Sequence, residues 1–152
     1  MKKITNLGFA FIMASVISLV ISCNTTGPDK SPEVKFSATL SGANEVPRVA
    51  GNGTGTLEGI YNKDTKTFSY VITYSGLSAA PIAGHFHGGF PNENGGVIFP
   101  FAGSFQSPIS GSWAGMKQDD ENKLFRGGVY VNLHTNLNKG GEIRGQIGFV
   151  TN

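Results

Sequence analysis

FSYVITY, residues 68–74, decides the fold, because large apolar or aromatic side chains occupy every second position. Alternate residues of an extended strand share one face. Phe68, Tyr70, Ile72 and Tyr74 are therefore predicted to face an apolar core, and the residues between them to face away from it.

Seven further runs between turn residues also have the character of strands. They are residues 34–40, 54–61, 82–88, 96–101, 109–115, 129–134 and 142–149. Many short strands at even spacing, with no long helical period, are typical of an antiparallel sandwich or barrel. The polar segment 116–123 is expected to be a loop or a single helical turn.

The closing run combines apolar and polar faces. Ile143, Ile147 and Phe149 are predicted to point inward, while Glu142, Arg144 and Gln146 point to the other side. In the run before it, Val129, Val131 and Leu133 face one way and His134 faces the other way.

The amino terminus has the pattern of an export signal. Lys2 and Lys3 precede an apolar stretch, residues 7–21, and Cys23 follows Ser22. The end of this segment resembles the lipobox of bacterial lipoproteins, in which the cysteine carries the lipid. The alternative is an ordinary signal peptide or an uncleaved anchor with an incidental cysteine.

The lipobox resemblance implies three parts: a lipoprotein signal peptide at residues 1–22, a flexible tether at 23–33 and a folded domain at 34–150. Its implied partner is a membrane, reached through a lipid such as palmitate on Cys23. The implied location is the periplasmic or extracellular face of the bacterial cell envelope.

The charge of the mature chain argues against binding to nucleic acid. Removing Lys2 and Lys3 from the twelve basic residues leaves ten, against ten acidic residues. A near-neutral chain without a basic stripe lacks the electrostatic footprint of a nucleic-acid-binding protein. Because Cys23 is the only cysteine, an internal disulfide is also excluded.

The three histidines are the candidate metal ligands. His85 and His87 are two residues apart, so both imidazoles point to the same face of a strand. His134 would join them if its strand lies beside theirs. Imidazole nitrogens suit zinc or copper.

A hydrogen-bonded polar cluster is the alternative interpretation of these histidines. In that reading one imidazole donates to a backbone carbonyl or to Glu142, and Arg144 closes the network. Glu142 is also the one nearby acid that could serve as a base if a bound metal activated water. The segment NEVP, residues 44–47, is interpreted as a polar turn ended by proline.

Ordered blocks of the chain resemble the CHRD domain, the module named after chordin. They include FSATLSGANEVP (36–47), AGHFHG (83–88), GVYVNLHT (128–135) and GGEIRGQI (140–147). The resemblance implies a β-sandwich outside the cytoplasm whose biochemical activity is poorly defined.

A weaker likeness is to Cu/Zn superoxide dismutase, which also carries His-x-His on a strand of a Greek-key sandwich. Three histidines cannot fill the two-metal site of that enzyme, so dismutase activity is not expected. The predicted fold is an all-β, antiparallel Greek-key β-sandwich of about eight strands, similar to the immunoglobulin or the Cu/Zn superoxide dismutase architecture.

Two functions remain open at this point. The leading hypothesis is a membrane-tethered envelope lipoprotein whose CHRD domain is a non-catalytic binding or structural module for an unknown protein or glycan ligand. The alternative is a copper or zinc protein using His85, His87 and His134, with redox chemistry available if the metal is copper. No catalytic residues are assigned, and no cofactor beyond such a metal is expected.

Overall fold

The computed structural model describes residues 31–150. The predicted signal peptide at 1–22, the lipidation site Cys23 and most of the tether lie outside these residues. The last residue of the predicted tether, Glu33, is already the first residue of a strand. None of the helical segments within residues 31–150 has the length and apolarity needed to cross a membrane.

Antiparallel strands dominate the described part of the chain, which confirms the all-β prediction. The strands are β1 (Glu33–Ser41), β2 (Thr54–Asn62), β3 (Thr67–Ser75), β4 (Pro81–Gly88), β5 (Val97–Pro100), β6 (Ile109–Trp113), β7 (Val129–Thr135), β8 (Ile143–Gln146) and β9 (Gly148–Phe149). A 3-10 turn (Gly42–Asn44) follows β1, and one helix, α1 (Gln118–Phe125), precedes β7. The helix has two turns where the sequence predicted a loop or one turn.

The strands form one continuous sheet in the order β5-β4-β7-β8-β1-β2-β3-β6, with β9 added beside β1. The two edge strands approach each other, since the rings of Phe99 on β5 and Trp113 on β6 stack 5.1 Å apart. The sheet therefore curls into a nearly closed barrel. Its opposite walls are the two layers that the sandwich prediction describes.

The predicted core face of residues 68–74 is correct. Phe68, Tyr70 and Ile72 are buried, and Tyr74 is half-buried. Across the interior they meet Phe86 of β4, whose ring centroid lies 5.6 Å from that of Phe68 and 4.9 Å from that of Tyr70. Phe86 also contacts Phe101, the residue after the neighbouring strand β5, at 4.8 Å. It therefore joins the wall that contains β4 and β5 to the wall that contains β3.

The closing run contains a break that the sequence did not reveal. The backbone N–H of Ile147 bonds to the carbonyl of Val129, and the chain then leaves β7 to pair with β1 as β9. Beyond this break the strict alternation is lost. Phe149 is 48% exposed, so its predicted inward position is wrong, although its ring stacks on Phe36 at 4.9 Å.

The face of the sheet opposite the core is also covered along β7. Every residue of β7 is buried, including Asn132 and His134, and so are Glu142 and Arg144 next to β8. The covering segments are the 3-10 turn with the residues after it and the loop that joins β4 to β5. They make a second, polar interior layer on this side of the sheet, which holds the candidate site.

The packing around Phe86 generates a stability prediction. Truncating this fully buried ring by Phe86→Ala should lower the free energy of unfolding by about 3–5 kcal/mol, because it removes contacts to both walls. Ile82→Ala is the matched control: Ile82 is on the same strand but 46% exposed, so its loss should cost less than about 1 kcal/mol. Urea unfolding of both variants measures the difference, and equal losses would contradict this account of the core.

Candidate metal centre

The pairing of β4 with β7 brings the three histidines together. In the antiparallel register His85 faces Asn132, His87 faces Tyr130, and Ala83 faces His134. Because Phe86 and Leu133 enter the apolar core, the alternate histidines must emerge on the opposite face. His134 therefore lies diagonally across from His85, within reach of a side-chain contact.

The imidazoles form a compact group. One ring nitrogen from each histidine can be chosen so that all three lie within 4.8 Å of one another. The ring centroids of His85 and His134 are 4.7 Å apart, and those of His85 and His87 are 5.5 Å apart. The Nδ1 of His85 lies 2.9 Å from the Nε2 of His134.

Backbone carbonyls define the tautomers of two of the rings. The Nδ1 of His87 lies 2.9 Å from the carbonyl oxygen of Gly95, and the Nδ1 of His134 lies 2.9 Å from that of Lys139. Since a carbonyl only accepts, both Nδ1 atoms must carry the proton, and both Nε2 atoms keep a lone pair. The Nε2 of His134 then accepts the Nδ1–H of His85, whereas the buried Nε2 of His87 makes no hydrogen bond of good geometry with the described residues, although the side chain of Asn132 lies near the ring.

The electrostatic environment favours the neutral form of His85 and of His87. Burial lowers the pKa of His85, and the neighbouring His134 and His87 lower it further. Burial also lowers the pKa of His87, against the opposing effect of the Gly95 carbonyl. Neutral imidazole is the form that binds a metal ion.

This arrangement fits a zinc or copper ion bound by three nitrogens. Ligands at about 2.0–2.1 Å from one ion are about 3.3 Å from each other, so the rings need only small rotations to close on it. The carbonyls of Gly95 and Lys139 already supply the outer hydrogen bonds that usually orient metal-binding histidines. Within residues 31–150 the group contains histidines alone, and this leaves a fourth position for water or another ligand.

Glu142 belongs to a different network from the histidines. Its carboxylate accepts hydrogen bonds from the backbone N–H and hydroxyl of Ser78 and from the hydroxyl of Thr135, each at 2.6 Å, and from the amide of Asn138 at 3.1 Å. Burial alone would raise the pKa of Glu142, but these bonds outweigh it and hold the pKa below its usual value. Glu142 thus joins the loops after β3 and β7 rather than accepting a proton from an imidazole.

Arg144 lies in a second network, so the structure does not bring Glu142 and Arg144 into one polar cluster. The guanidinium carbon of Arg144 is 3.4 Å from the centroid of the Tyr130 ring. One guanidinium nitrogen donates to the carbonyl of Phe90 at 3.1 Å. The ring of His87 also stacks on Tyr130: the two rings are nearly parallel, with centroids 4.8 Å apart.

Glu45 is the residue that the sequence interpretation missed. The segment containing it was expected to be an ordinary polar turn, yet Glu45 is only 5% exposed and lies close to Asn132. Burial raises the pKa of Glu45 to about 7, although Arg144 and Asn132 favour the ionised form. An acid in a polar turn gives no sign of burial by itself. The one signal in the sequence was that Glu45 lies within residues 36–47, a block that resembles the CHRD domain.

Comparison with known proteins supports the resemblance noted from the sequence. The family model described as the CHRD domain matches residues 36–147, which is most of the chain. The match extends from β1 to Ile147, the residue after β8, so it contains all three histidines. No curated protein and no solved structure matches the chain.

The burial of Glu45 predicts a pH dependence of stability. The folded state holds the proton up to a pKa of about 7, against an ordinary value of 4.5, so it binds more protons than the unfolded chain between these values. The contribution of Glu45 to stability is therefore fully present below pH 4.5 and declines by roughly 2–3 kcal/mol as the pH rises to 7.

Glu45→Gln should remove this slope, because its amide does not titrate. The measurement is urea unfolding of both proteins at several pH values from 4 to 8. The variant should become more stable relative to the native protein as the pH rises. A constant difference across this range would show that the pKa of Glu45 is the same in the folded and unfolded states, which contradicts this account.

Proposed function

Because the chain belongs to the CHRD domain family, we propose that it is a binding module of the cell envelope, and that it binds one copper or zinc ion through His85, His87 and His134. The observation that carries this proposal is the Nε2 atom of His87. It is buried, it retains a lone pair, and it makes no hydrogen bond of good geometry with the described residues, the nearby side chain of Asn132 included.

An orphaned buried acceptor is costly. Leaving such a group unsatisfied costs about 1–3 kcal/mol, so folded proteins seldom retain one without a reason. A metal ion at the centre of the three histidines would satisfy this atom. The ion would also bind the Nε2 of His134, which has a lone pair because the ring carries its proton on Nδ1.

The ligand set favours copper or zinc over harder cations. Three neutral imidazoles suit these two metals, whereas magnesium and calcium prefer oxygen ligands. His85 is the most exposed of the three histidines, and solvent can reach the group along its side. If the ion is copper, that access would allow an electron-transfer partner to approach.

The family assignment supports a binding or structural module rather than an enzyme, since the CHRD domain is generally non-catalytic. The position of Glu142 agrees with this view. Its carboxylate already accepts several hydrogen bonds and lies in another network, so it is poorly placed to take a proton from a water bound at the histidines.

The proposed envelope location rests on the amino-terminal sequence. A lipid on Cys23 would moor the domain to a membrane, with about ten residues between the anchor and β1. Each buried methylene of an acyl chain adds about 0.8 kcal/mol, so two or more chains would hold the domain at the membrane almost permanently.

Metal titration of the mature protein tests the main proposal. Isothermal titration with zinc and copper should give one ion per chain. Loss of a group that only hydrogen-bonds a metal ligand typically weakens metal affinity by roughly 10–100-fold. His87→Ala and His134→Ala should each weaken it by more than this, because each removes a direct ligand. Asn136→Ala is the control, since Asn136 is exposed and only two residues from His134. Unchanged affinity in the His87→Ala protein would contradict the proposal.

Lipid labelling tests the anchor independently of the metal. In cells fed a labelled fatty acid, the native chain should incorporate label and fractionate with membranes, whereas Cys23→Ser should do neither. Thr25→Ala, two residues beyond the cysteine, should behave like the native chain. Label that persists in the Cys23→Ser protein would rule out lipidation at this position.

A further inference from the structure

Arg144 is a buried cation that makes no ion pair within residues 31–150, although its charge favours ionisation of the buried carboxyl of Glu45. It is only 2% exposed. The two ion pairs of the described residues join Lys66 to Glu121 and Lys123 to Asp120, and neither includes Arg144. Buried charges are normally paired, because their removal from water is expensive.

The hydrogen bonds of Arg144 leave part of its donor capacity unused. One guanidinium nitrogen donates to the carbonyl of Phe90 at 3.1 Å, and the other makes a long contact of 3.5 Å to the side-chain oxygen of Asn94. A guanidinium group has five N–H donors in one plane. Tyr130 covers a flat face of this plane and leaves its edge for further acceptors.

A polar cavity of about 260 Å³ adjoins this residue. Thr39 and Asn44 line one side of it, and Pro91 and Asn92 line the other side. These four residues are exposed, so a ligand can enter from solvent. The volume lies just below the range typical of drug-sized sites, so it fits one small molecule.

We propose that this cavity binds the carboxylate of an acidic sugar, with Arg144 as the charged anchor. A planar guanidinium matches the two oxygens of a carboxylate better than a point charge does. The NH2 group of Asn44 already donates to the carbonyls of Thr39 and Arg144, which leaves its side-chain oxygen for a sugar hydroxyl. The amide of Asn92 and the hydroxyl of Thr39 are suited to the same role. The lining contains no large apolar side chain, which disfavours a peptide whose carboxylate is accompanied by a hydrophobic residue.

This site is distinct from the proposed metal centre and goes beyond it. Tyr130 separates the two, with His87 stacked near its ring and Arg144 over it. Sugar binding should therefore persist without added metal, and metal binding should persist without the sugar. Failure of one proposal is thus distinguishable from failure of the other.

Amide-detected NMR titrations of the mature protein test the sugar site. Glucuronate should bind at least about tenfold more tightly than glucose, which has the same ring but no carboxylate. Shifts should centre on Asn92, Asn94 and the Nε–H of Arg144. Inorganic phosphate and N-acetylglycine serve as the other anion probes, and both should bind at least about tenfold more weakly than glucuronate.

Two variants separate binding from folding. Ala43→Trp places a large ring in the cavity without altering Arg144, and it should weaken glucuronate binding at least about tenfold; Ala114→Trp, at another exposed position, should leave it unchanged. Arg144→Lys should also weaken binding, because lysine lacks the planar guanidinium fork.

Four results would each overturn the proposal. They are absence of glucuronate binding, equal binding of glucose, tighter binding of phosphate or N-acetylglycine, and full glucuronate binding by Ala43→Trp.

Discussion

The antiparallel pairing of β4 with β7 is the constraint on which the rest of the structure depends. Its register sends Phe86 and Leu133 into the apolar barrel and leaves His85, His87 and His134 together on the opposite face. A shift of one residue would exchange these faces, placing imidazoles in the core and the phenyl ring outside. The aromatic packing around Phe86 therefore fixes the geometry of the candidate metal centre as well as the fold.

The opposite face of these strands forms a second interior rather than a wet surface. Short loops cover it, and its buried polar groups are held in three neighbouring networks around His134, Glu142 and Arg144. A buried polar layer of this kind is stable only where its hydrogen bonds are satisfied. The Nε2 of His87 makes no hydrogen bond of good geometry within this layer, and the proposed metal ion would satisfy it.

Much of this architecture could be predicted from the sequence, because period-two alternation identifies strands and their faces locally. It located the strands and indicated that His134 could join His85 and His87. Alternation does not show what covers the second face, so the burial of Glu45 and the separation of Glu142 from Arg144 were not predictable. The inward assignment of Phe149 was wrong because the break at Ile147 changes the pairing partner of the strand. Such features depend on loop packing between residues that are distant in sequence.

The most direct test of this account is long-range ¹H–¹⁵N NMR of the histidine rings, recorded before and after addition of one equivalent of zinc. The metal-free spectra should show His87 and His134 protonated at Nδ1, as the Gly95 and Lys139 carbonyls require. Zinc should then shift the Nε2 resonances of both rings and leave their Nδ1 protons in place. Protonation at Nε2 in the metal-free protein, or rings that do not respond to zinc, would contradict the account.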